Sequence, residues 1–490
     1  MRKVAIIHSP PHGEVPFRNI GLIYLQTALL ESGFDVKFVD ISYEEDKNKT
    51  DFYGKIINYL SKKVGHVGDM PDLRLLLGVV FPDDVGFKDN ISSIILEKVN
   101  EYFSRVKDIA DVFIFSNNVL TMYFSCALAK RLKRHGKFTI GGGPTVHFLP
   151  FTMFSLFSDV YDYVIIGEGE EIIVKLLRNM DDKGIKDLRG LYYKDGNEII
   201  GSGKYYNCDI SKPRVLNFQG IVIKDFIPII AGRGCPHRCR FCSEVNYWNK
   251  YRVRAVEEII NEMVVQSRKY NISNFHFHDD SINANLNWFD RFLHQLTRLN
   301  SVCKWESFCT PYGLNERRVE KMKESGCVLL KMGVQSFSEN VLRLMGRPTN
   351  VEAVINTIKY CVNYGISMHF DLLTCFPGEK REDHEVNLRV LEELYGISDN
   401  IYFSPNPFYL SLGSFTALNP LRYNIKIKYY NDQSLPPMPK WISDIIKKSG
   451  EFPEKFIYDI SEKEVKRRLD DYHRILIKYN KDYLFLGRTY

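Results

Sequence analysis

At 490 residues the chain has room for two or three domains, each with its own core. Hydrophobic residues make up 44% and charged residues 26%, an ordinary balance for a soluble globular protein, and 66 basic against 60 acidic side chains leave a net charge of only +6. No basic block of five or six residues occurs and no stretch approaches the ~18 apolar residues of a membrane span, so neither nucleic acid nor a membrane is an expected partner.

The opening residues carry two positive charges and then a short apolar run, Val4–Ile7, too brief for a signal peptide. Ten cysteines over this length are too sparse for a disulfide framework. A reducing, cytoplasmic location is the expectation, and it suits thiolates that must stay free to bind metal.

Taken in chain order, Val4–Ile7 reads as a strand, Gly21–Glu31 as a helix ending near Gly33, and Val36–Val39 as a second strand. A polar insertion over about 43–108 follows. Val112–Ser116 then resumes as a strand, Thr121–Arg134 as a helix, and Phe138–Gly141 and Tyr163–Ile166 as strands. Strand–helix alternation of this kind predicts a doubly wound parallel sheet, with ligands beyond the carboxyl ends of the strands. Those ends carry Pro10-Pro11-His12-Gly13, Ser116-Asn117-Asn118, Gly141-Gly142-Gly143-Pro144 and Gly167-Glu168-Gly169-Glu170. Glycine lets backbone approach a ligand closely, and turns also need it; four such loops at one sheet edge point to a large, flat ligand.

Residues 186–225 read as a connector with two short strands about the turn Asp195-Gly196-Asn197. From Ile227 a second series begins, with strands at Pro228–Ala231, Asn274–His278, Lys304–Phe308, Val328–Gly333, Met368–Leu373 and Asn400–Phe403. Helices fall between them at Val256–Lys269, Asn315–Glu324, Val351–Asn363 and Glu382–Leu394. Six units predict a partial barrel, whose active site would lie at the carboxyl-terminal face. The tail from Pro405 is rich in Tyr, Pro and Lys and ends in a helix near Glu462–Tyr479, with an apolar stripe at Val465, Leu469, Tyr472 and Leu476. Its basic cluster, Arg467-Arg468 with Lys463 and Lys466, is diluted by acids and reads as a solvated face. Tyr402, Phe403, Phe408, Tyr409, Phe415 and Tyr423 read either as core or as the floor of a pocket.

The first barrel strand leads into Gly234-Cys235-Pro236-His237-Arg238-Cys239-Arg240-Phe241-Cys242, a C-x3-C-x2-C run with no fourth cysteine nearby. Thiolates are the usual ligands of iron–sulfur clusters, and three of them leave one iron of a four-iron cluster open to a small molecule. A structural zinc site completed by His237 or a distant residue is the other metal such a run admits. Unrelated buried thiols are the third reading.

A cysteine run of this spacing after a first barrel strand resembles the radical S-adenosylmethionine (SAM) enzymes. The amino-terminal half, with Asn19-Ile20-Gly21-Leu22 and the loops at 141–144 and 167–170, is similar to their cobalamin-binding subfamily. The resemblance covers roughly residues 1–405. It implies a Rossmann-like cobalamin domain (1–185), a connector (186–225), a partial (β/α)6 radical SAM barrel (226–404) and a small carboxyl-terminal region (405–490).

The resemblance also implies one 4Fe-4S cluster on Cys235, Cys239 and Cys242. SAM would lie near Phe241, Asp279, Asp280, Gln335 and Ser336, with Phe376-Pro377-Gly378-Glu379 following the fifth strand. A helix cap is the lesser alternative for Asp279 and Asp280, and a satisfied strand-end turn an equal one for Gln335 and Ser336. Cobalamin would meet Pro10, Ser116, Asn117, Gly142, Gly143, Gly167, Glu168 and Gly169. The Asp-x-His-x-x-Gly motif that ligates cobalt through histidine in many cobalamin proteins is absent, so the lower face of the cofactor would have no histidine. Only Cys126 and Cys208 precede Cys235, too few for the second cluster of a methylthiotransferase, and no cysteine follows Cys375.

The function so implied is methylation of an unactivated carbon through a 5′-deoxyadenosyl radical and methylcobalamin. The substrate would be a small molecule or peptide, and an electron donor such as flavodoxin or ferredoxin would serve the cluster. A radical cyclase or rearrangement enzyme using cobalamin without methyl transfer shares the same motifs. A non-catalytic zinc-binding protein is the reading from outside enzymology.

Overall fold

The computed structural model describes residues 2–10, 19–47, 55, 72–85, 89–148, 154–180, 185, 188–203, 205–211, 214–299, 303–430, 438–449, 453–479 and 481. Pro11, His12 and Gly13 of the first strand-end loop lie outside the described residues.

Strands β1 (Val4–His8), β2 (Val36–Asp40), β3 (Val112–Ser116), β4 (Phe138–Gly142) and β5 (Tyr163–Ile165) form a parallel sheet. The order is β2-β1-β3-β4-β5, so the chain reverses direction of winding between β1 and β3, and a crevice opens there beyond the strand ends. The hairpin β6 (Leu191–Asp195) and β7 (Glu198–Gly201), expected within a connector, instead extends this sheet antiparallel to β5. Tyr163 faces Tyr193 across that pairing. The hairpin therefore belongs structurally to the first sheet.

Helices Ile20–Glu31 and Glu170–Asn179 cover one face of the sheet. The other face is covered by Leu73–Val80, Asn90–Val106 and Met122–Arg134. The first two of these helices correct the expectation of a merely polar insertion over 43–108. Leu73, Leu75, Leu76, Leu77, Val79 and Val80 are buried, and Asp72 starts the helix by accepting from the Leu75 N–H at 2.8 Å.

The second half contains β8 (Ile227–Ile229), the two-residue strands β9 (Gly232–Arg233) and β10 (Arg252–Val253), which pair antiparallel, then β11 (Asn274–Phe277), β12 (Lys304–Cys309), β13 (Cys327–Gln335), β14 (Ser367–Thr374) and β15 (Ile401–Pro407). The six main strands run parallel in sequence order, β8-β11-β12-β13-β14-β15, as an open partial barrel. Short polar caps set the intervening helices: Asn285, Asn315 and Asn350 each accept from the N–H three residues on. Gly326, at φ +92°, enters β13 where an added Cβ would stand 1.9 Å from the Cys303 carbonyl, so no other residue fits that turn.

One apolar cluster runs unbroken from the amino-terminal sheet (Val4, Ile6, Leu22, Ile173) into the barrel (Ile227, Phe275, Trp305, Met368), which fixes the two halves against each other. The last helix, Glu462–Lys478, packs on helix Arg381–Tyr395 and on β14 and β15, with Val465, Tyr472 and Leu476 buried. The basic cluster there is not wholly solvated. Arg468 is buried, with Nη1 3.0 Å from Glu379 of the Phe376–Glu379 turn and Nε 2.9 Å from Glu464. A guanidinium takes two carboxylates in one plane, which explains how a helix rich in charge can dock on the barrel. Among the described residues no helix is long and apolar enough to cross a membrane.

Candidate active site

The three-cysteine loop begins immediately after β9, at the carboxyl-terminal end of the first barrel strand. Gly234 turns the chain at φ +82°. The loop is tied down on two sides, by Arg240 N–H to the Met345 carbonyl at 2.8 Å and by Thr416 N–H to the Arg240 carbonyl at 3.0 Å. Cys239 is buried, and Cys235 and Cys242 are half-buried. Burial pushes the Cys235 thiol up to about 12 and raises Cys242 as well, so thiolates here require positive partners. Arg347 supplies one: its Nη1 donates to Cys239 Sγ at 3.1 Å and its Nη2 to the Gly333 carbonyl. Among the described residues no three His, Cys, Asp or Glu side chains converge as the ligands of a single ion would. Cluster thiolates each hold a different iron, so a spread trio with a guanidinium beside it fits a cluster.

Asp279 and Asp280, at the end of β11, are not helix caps. Asp279 accepts from the Ala231 and Gly232 N–H groups at 2.9 and 2.6 Å, bracing the chain that leads into the cysteine loop. Burial lifts its carboxyl to about 7. Asp280 is exposed and stands near enough to raise the thiols of Cys235 and Cys242. Phe241, between two of the cysteines, is half-buried against the apolar core. Gln335 ends β13 in the left-handed region, at φ 71°. A Cβ on Gly333 would come within 2.8 Å of Gln335 Nε2, so that glycine makes room for the side chain. The Ser336 hydroxyl is fully buried and bonded to Asn387 at 3.0 Å, which makes it part of a satisfied turn.

A cavity of about 430 Å³ opens between the two halves. Ser116, Gly142, Gly143, Gly167, Glu168 and Gly169 line it, as the strand-end loops lead one to expect. Pro10 and Asn117 do not. Asn117 is buried behind the wall, donating to the Gly142 carbonyl at 3.1 Å and accepting from Tyr161 at 3.0 Å. Gly143 lies at φ +102°, and a Cβ there would strike the Asn117 backbone at 2.6 Å. The barrel side of the cavity is made by Ile230, Arg233, Tyr247, Trp248, Phe308 and Lys331, with His276 and His278. No cysteine lines it. Of the aromatic residues of the tail, Phe403 stacks on Phe370 and Phe408 meets Phe376 edge-on, so both belong to packing.

Glu168 and Glu170 face two arginines from the other half. Arg233 Nη1 lies 3.1 Å from Glu168, and its Nη2 lies 2.5 Å from Glu170. Arg252 joins Glu168 through both terminal nitrogens, and the Cys208 N–H donates to Glu168 at 2.6 Å. All these side chains are buried or nearly so, Glu168 to 2% exposure. The pairs close the seam between the sheet and the cysteine loop, because Arg233 is two residues from Cys235. Sequence reasoning passed over Arg233, Arg252 and Arg347, since nothing in their spacing distinguishes them from surface arginines. The polar residues of the barrel strands had a signal that was available: a period-2 alternation with the polar set facing inward.

Residues 229–391 match the model of the Radical SAM superfamily. That segment begins at β8 and includes the cysteine loop and four further barrel strands. The chain therefore carries a radical SAM domain over that segment, and the reading as a non-catalytic zinc protein gives way to that of an enzyme. Its likeness to solved structures extends well beyond the barrel. The radical SAM methyltransferase TsrM of Kitasatospora setae, determined with cobalamin and a [4Fe-4S] cluster, superposes with a TM-score of 0.67 at 15% identity, over 97% of this chain and 91% of that one. The cobalamin-dependent enzyme OxsB aligns with a TM-score of 0.58 at 14% identity, over 86% of this chain and 56% of that one. Among sequences, an uncharacterized methyltransferase of Pyrococcus horikoshii is 25% identical over 344 residues, covering 66% of this chain and 70% of the relative. Cytidylyl-2-hydroxyethylphosphonate methyltransferase of Streptomyces wedmorensis is 22% identical over 438 residues, covering 79% and 75%. The fold is thus the one shared with those two solved enzymes, a doubly wound domain set over the mouth of a radical SAM barrel.

Proposed function

We propose that the chain methylates an unactivated carbon of a small molecule, using a [4Fe-4S] cluster, SAM and cobalamin. One juxtaposition carries the reading. Arg233, two residues before the first cysteine, also lines the cavity between the halves, so the cysteine loop and the strand-end glycine loops serve one chamber. Cys235, Cys239 and Cys242 would hold the cluster, with Arg347 at its back. Phe241, Asp279, Asp280 and Gln335 would lie about SAM, with Ser336 held in the turn behind Gln335 by Asn387. Ser116, Gly142, Gly143, Gly167, Glu168 and Gly169 would cradle cobalamin, with Asn117 fixing the Gly142–Gly143 turn and Pro10 at the neighbouring strand end.

Together these groups, when bound, supply one-electron cleavage and methyl delivery that amino-acid side chains do not. The protein's part is to orient and to exclude water. Asp279 fixes the backbone ahead of the cysteines, and Tyr247 and Trp248 wall the chamber between the two cofactor places. A flavodoxin- or ferredoxin-like electron donor and a reducing, cytoplasmic setting complete the reading.

Anaerobic reconstitution tests it. The protein should take up four iron atoms and one cobalamin per chain, and with a reductant and SAM it should release 5′-deoxyadenosine. A product heavier by one methyl group supports methyl transfer. Deoxyadenosine with an unchanged product mass supports cyclisation or rearrangement instead, and no iron uptake with all three thiols intact refutes both.

A further inference from the structure

The outer wall of the cysteine loop is built from pieces of chain that share one composition. Residues 226–243, 340–351 and 400–430 contain no Asp or Glu. They meet at Arg240. Its N–H donates to the Met345 carbonyl at 2.8 Å, its Nη1 donates to the Leu344 carbonyl at 2.9 Å, and its carbonyl accepts from the Thr416 N–H at 3.0 Å. Asn246, just past the loop, donates to the Gly413 carbonyl. Arg240 adjoins Cys239, so the stretch about Thr416 is separated from a thiol of the run by one hydrogen bond and one residue.

That stretch carries an exposed apolar group. Phe415, Leu418 and Leu421 are 39%, 64% and 86% exposed, while Thr416 and Tyr423 beneath them are buried and anchor the chain. Single apolar side chains on a surface need no explanation, but several together beside a functional loop do. Arginines surround them. Arg238, Arg343 and Arg422 are exposed, and Arg240 is half-buried. Arg343 donates to Asn340 at 3.0 Å, and Arg422 lies over the Phe415 ring, 5.7 Å from its centre. Neither contact is with a carboxylate, so the positive charge of this wall is not cancelled within it. Asp459 reaches the stretch at Asn424, beyond Arg422. None of Arg238, Arg422, Phe415, Leu418 and Leu421 lines the cavity between the halves, so this surface is separate from the chamber.

An apolar centre rimmed by arginines is the anatomy of a protein interface, whereas a nucleic-acid strand calls for cations along a track. The partner that fits has an acidic rim. Its task beside Cys239 follows from the chemistry: the cleavage of SAM consumes one electron, and no side chain here supplies it. We propose that Phe415, Leu418 and Leu421, with Arg238 and Arg422, form the docking surface for an acidic one-electron carrier protein. The inference rests on the function proposed above and adds the place where the electron enters. The carrier gives up one electron and the cluster on the three thiolates takes it; no bond forms or breaks at the patch. Encounters of this kind are small and steered by charge, so they weaken with salt.

The test compares reductants on the reconstituted holoenzyme, with 5′-deoxyadenosine release as the readout. An acidic flavodoxin and an acidic ferredoxin, each kept reduced by its reductase, serve as carriers, and dithionite serves as a reductant that needs no docking. The variants are Arg422→Glu and the double change Leu418→Ser with Leu421→Ser; Lys37→Glu, on the far edge strand β2, controls for net charge. With at least one carrier, both patch variants should lose about tenfold or more in rate at limiting carrier, while Lys37→Glu keeps its rate. With dithionite all of them should match the parent, as should iron content. Raising salt from ~0.05 to ~0.5 M should slow the carrier-supported rate of the parent and leave its dithionite rate unchanged. Equal loss with dithionite and carrier, an equal loss in Lys37→Glu, or unchanged carrier-supported rates in both patch variants overturns the proposal, whatever the variants do to self-association or to polyanion binding. A parent active with dithionite but inert with both carriers overturns the docking surface alone. A parent that releases no deoxyadenosine even with dithionite overturns the radical reading, and the docking surface with it.

Discussion

Replacing Glu168 by glutamine should loosen the seam between the two halves more than any other single isosteric change in the glycine loops. The carboxylate is buried and serves Arg233, Arg252 and the Cys208 N–H together. Glutamine keeps one acceptor oxygen but turns an NH2 toward a guanidinium, so Arg233 keeps Glu170 as its anion while Arg252 keeps only the Cys208 carbonyl. Breaking one side of a buried pair costs about 3–5 kcal/mol, because the partner charge stays buried without compensation. That is roughly two to four orders of magnitude in the folding equilibrium. The midpoint of urea unfolding measures it, and hydrogen exchange should show the 232–242 segment opening before the barrel strands. The double change Glu168→Gln with Arg252→Gln should recover part of the loss, since the second substitution removes the stranded charge. A Glu168→Gln protein within ~0.5 kcal/mol of the parent, with unchanged exchange in the cysteine loop, would refute the latch.

Removing Arg347 takes a positive charge and an N–H donor from Cys239. Arg347→Gln should therefore make the reconstituted cluster harder to reduce, seen as a more negative midpoint in an EPR-monitored redox titration, with iron content kept; an unmoved midpoint counts against it. Gly143→Ala forces a Cβ against the Asn117 backbone at a positive φ and should cost about 1–3 kcal/mol, visible as a lower thermal midpoint and weaker cobalamin retention. His369 is pushed down to about 4 by burial, with Lys331 adding to the effect. The unfolded chain then binds the proton first, near its ordinary value of about 6.5. Stability should be fully present above that pH and fall as pH drops toward 4, by about 1.4 kcal/mol per unit from this group, and His369→Asn should flatten that part of the slope measured by urea unfolding.

What the sequence disclosed and what it hid follow from different physics. Strand and helix positions were legible because burial imposes periodicity: each of the six barrel strands lies within a few residues of its expected place. The cysteine loop was legible because metal chemistry demands particular atoms at close spacing. The helices at 73–80 and 90–106 were missed because the surrounding polar residues masked a short apolar run; the 191–201 hairpin was legible as two strands about a turn, but its place in the first sheet was not, because antiparallel pairing to β5 leaves no local mark. The arginine partners were hidden for a deeper reason. Arg233 and Glu168 are 65 positions apart, and only the fold brings a cation on the cysteine loop to an anion on the glycine loop.

That pairing also bears on how the halves work together. Each domain could keep its own ligand with an apolar seam alone, and the continuous core already supplies one. Charges buried at the seam add little net stability over apolar packing, but they tolerate only one register of the two surfaces. Glu170 opens the helix over the first sheet with Glu168 two residues before it, and Arg233 sits two residues from Cys235, so a shift of either half by a side chain's length would break both pairs at once. A chamber in which a radical formed at one wall must be met from the opposite wall needs that fixed distance. On the proposed function the seam would act as a gauge between the two cofactor places, and the Glu168→Gln protein should lose coupling, measured as product formed per deoxyadenosine released, before it loses either cofactor. Equal loss of cofactor and coupling would mean that the arginines merely hold the domains together.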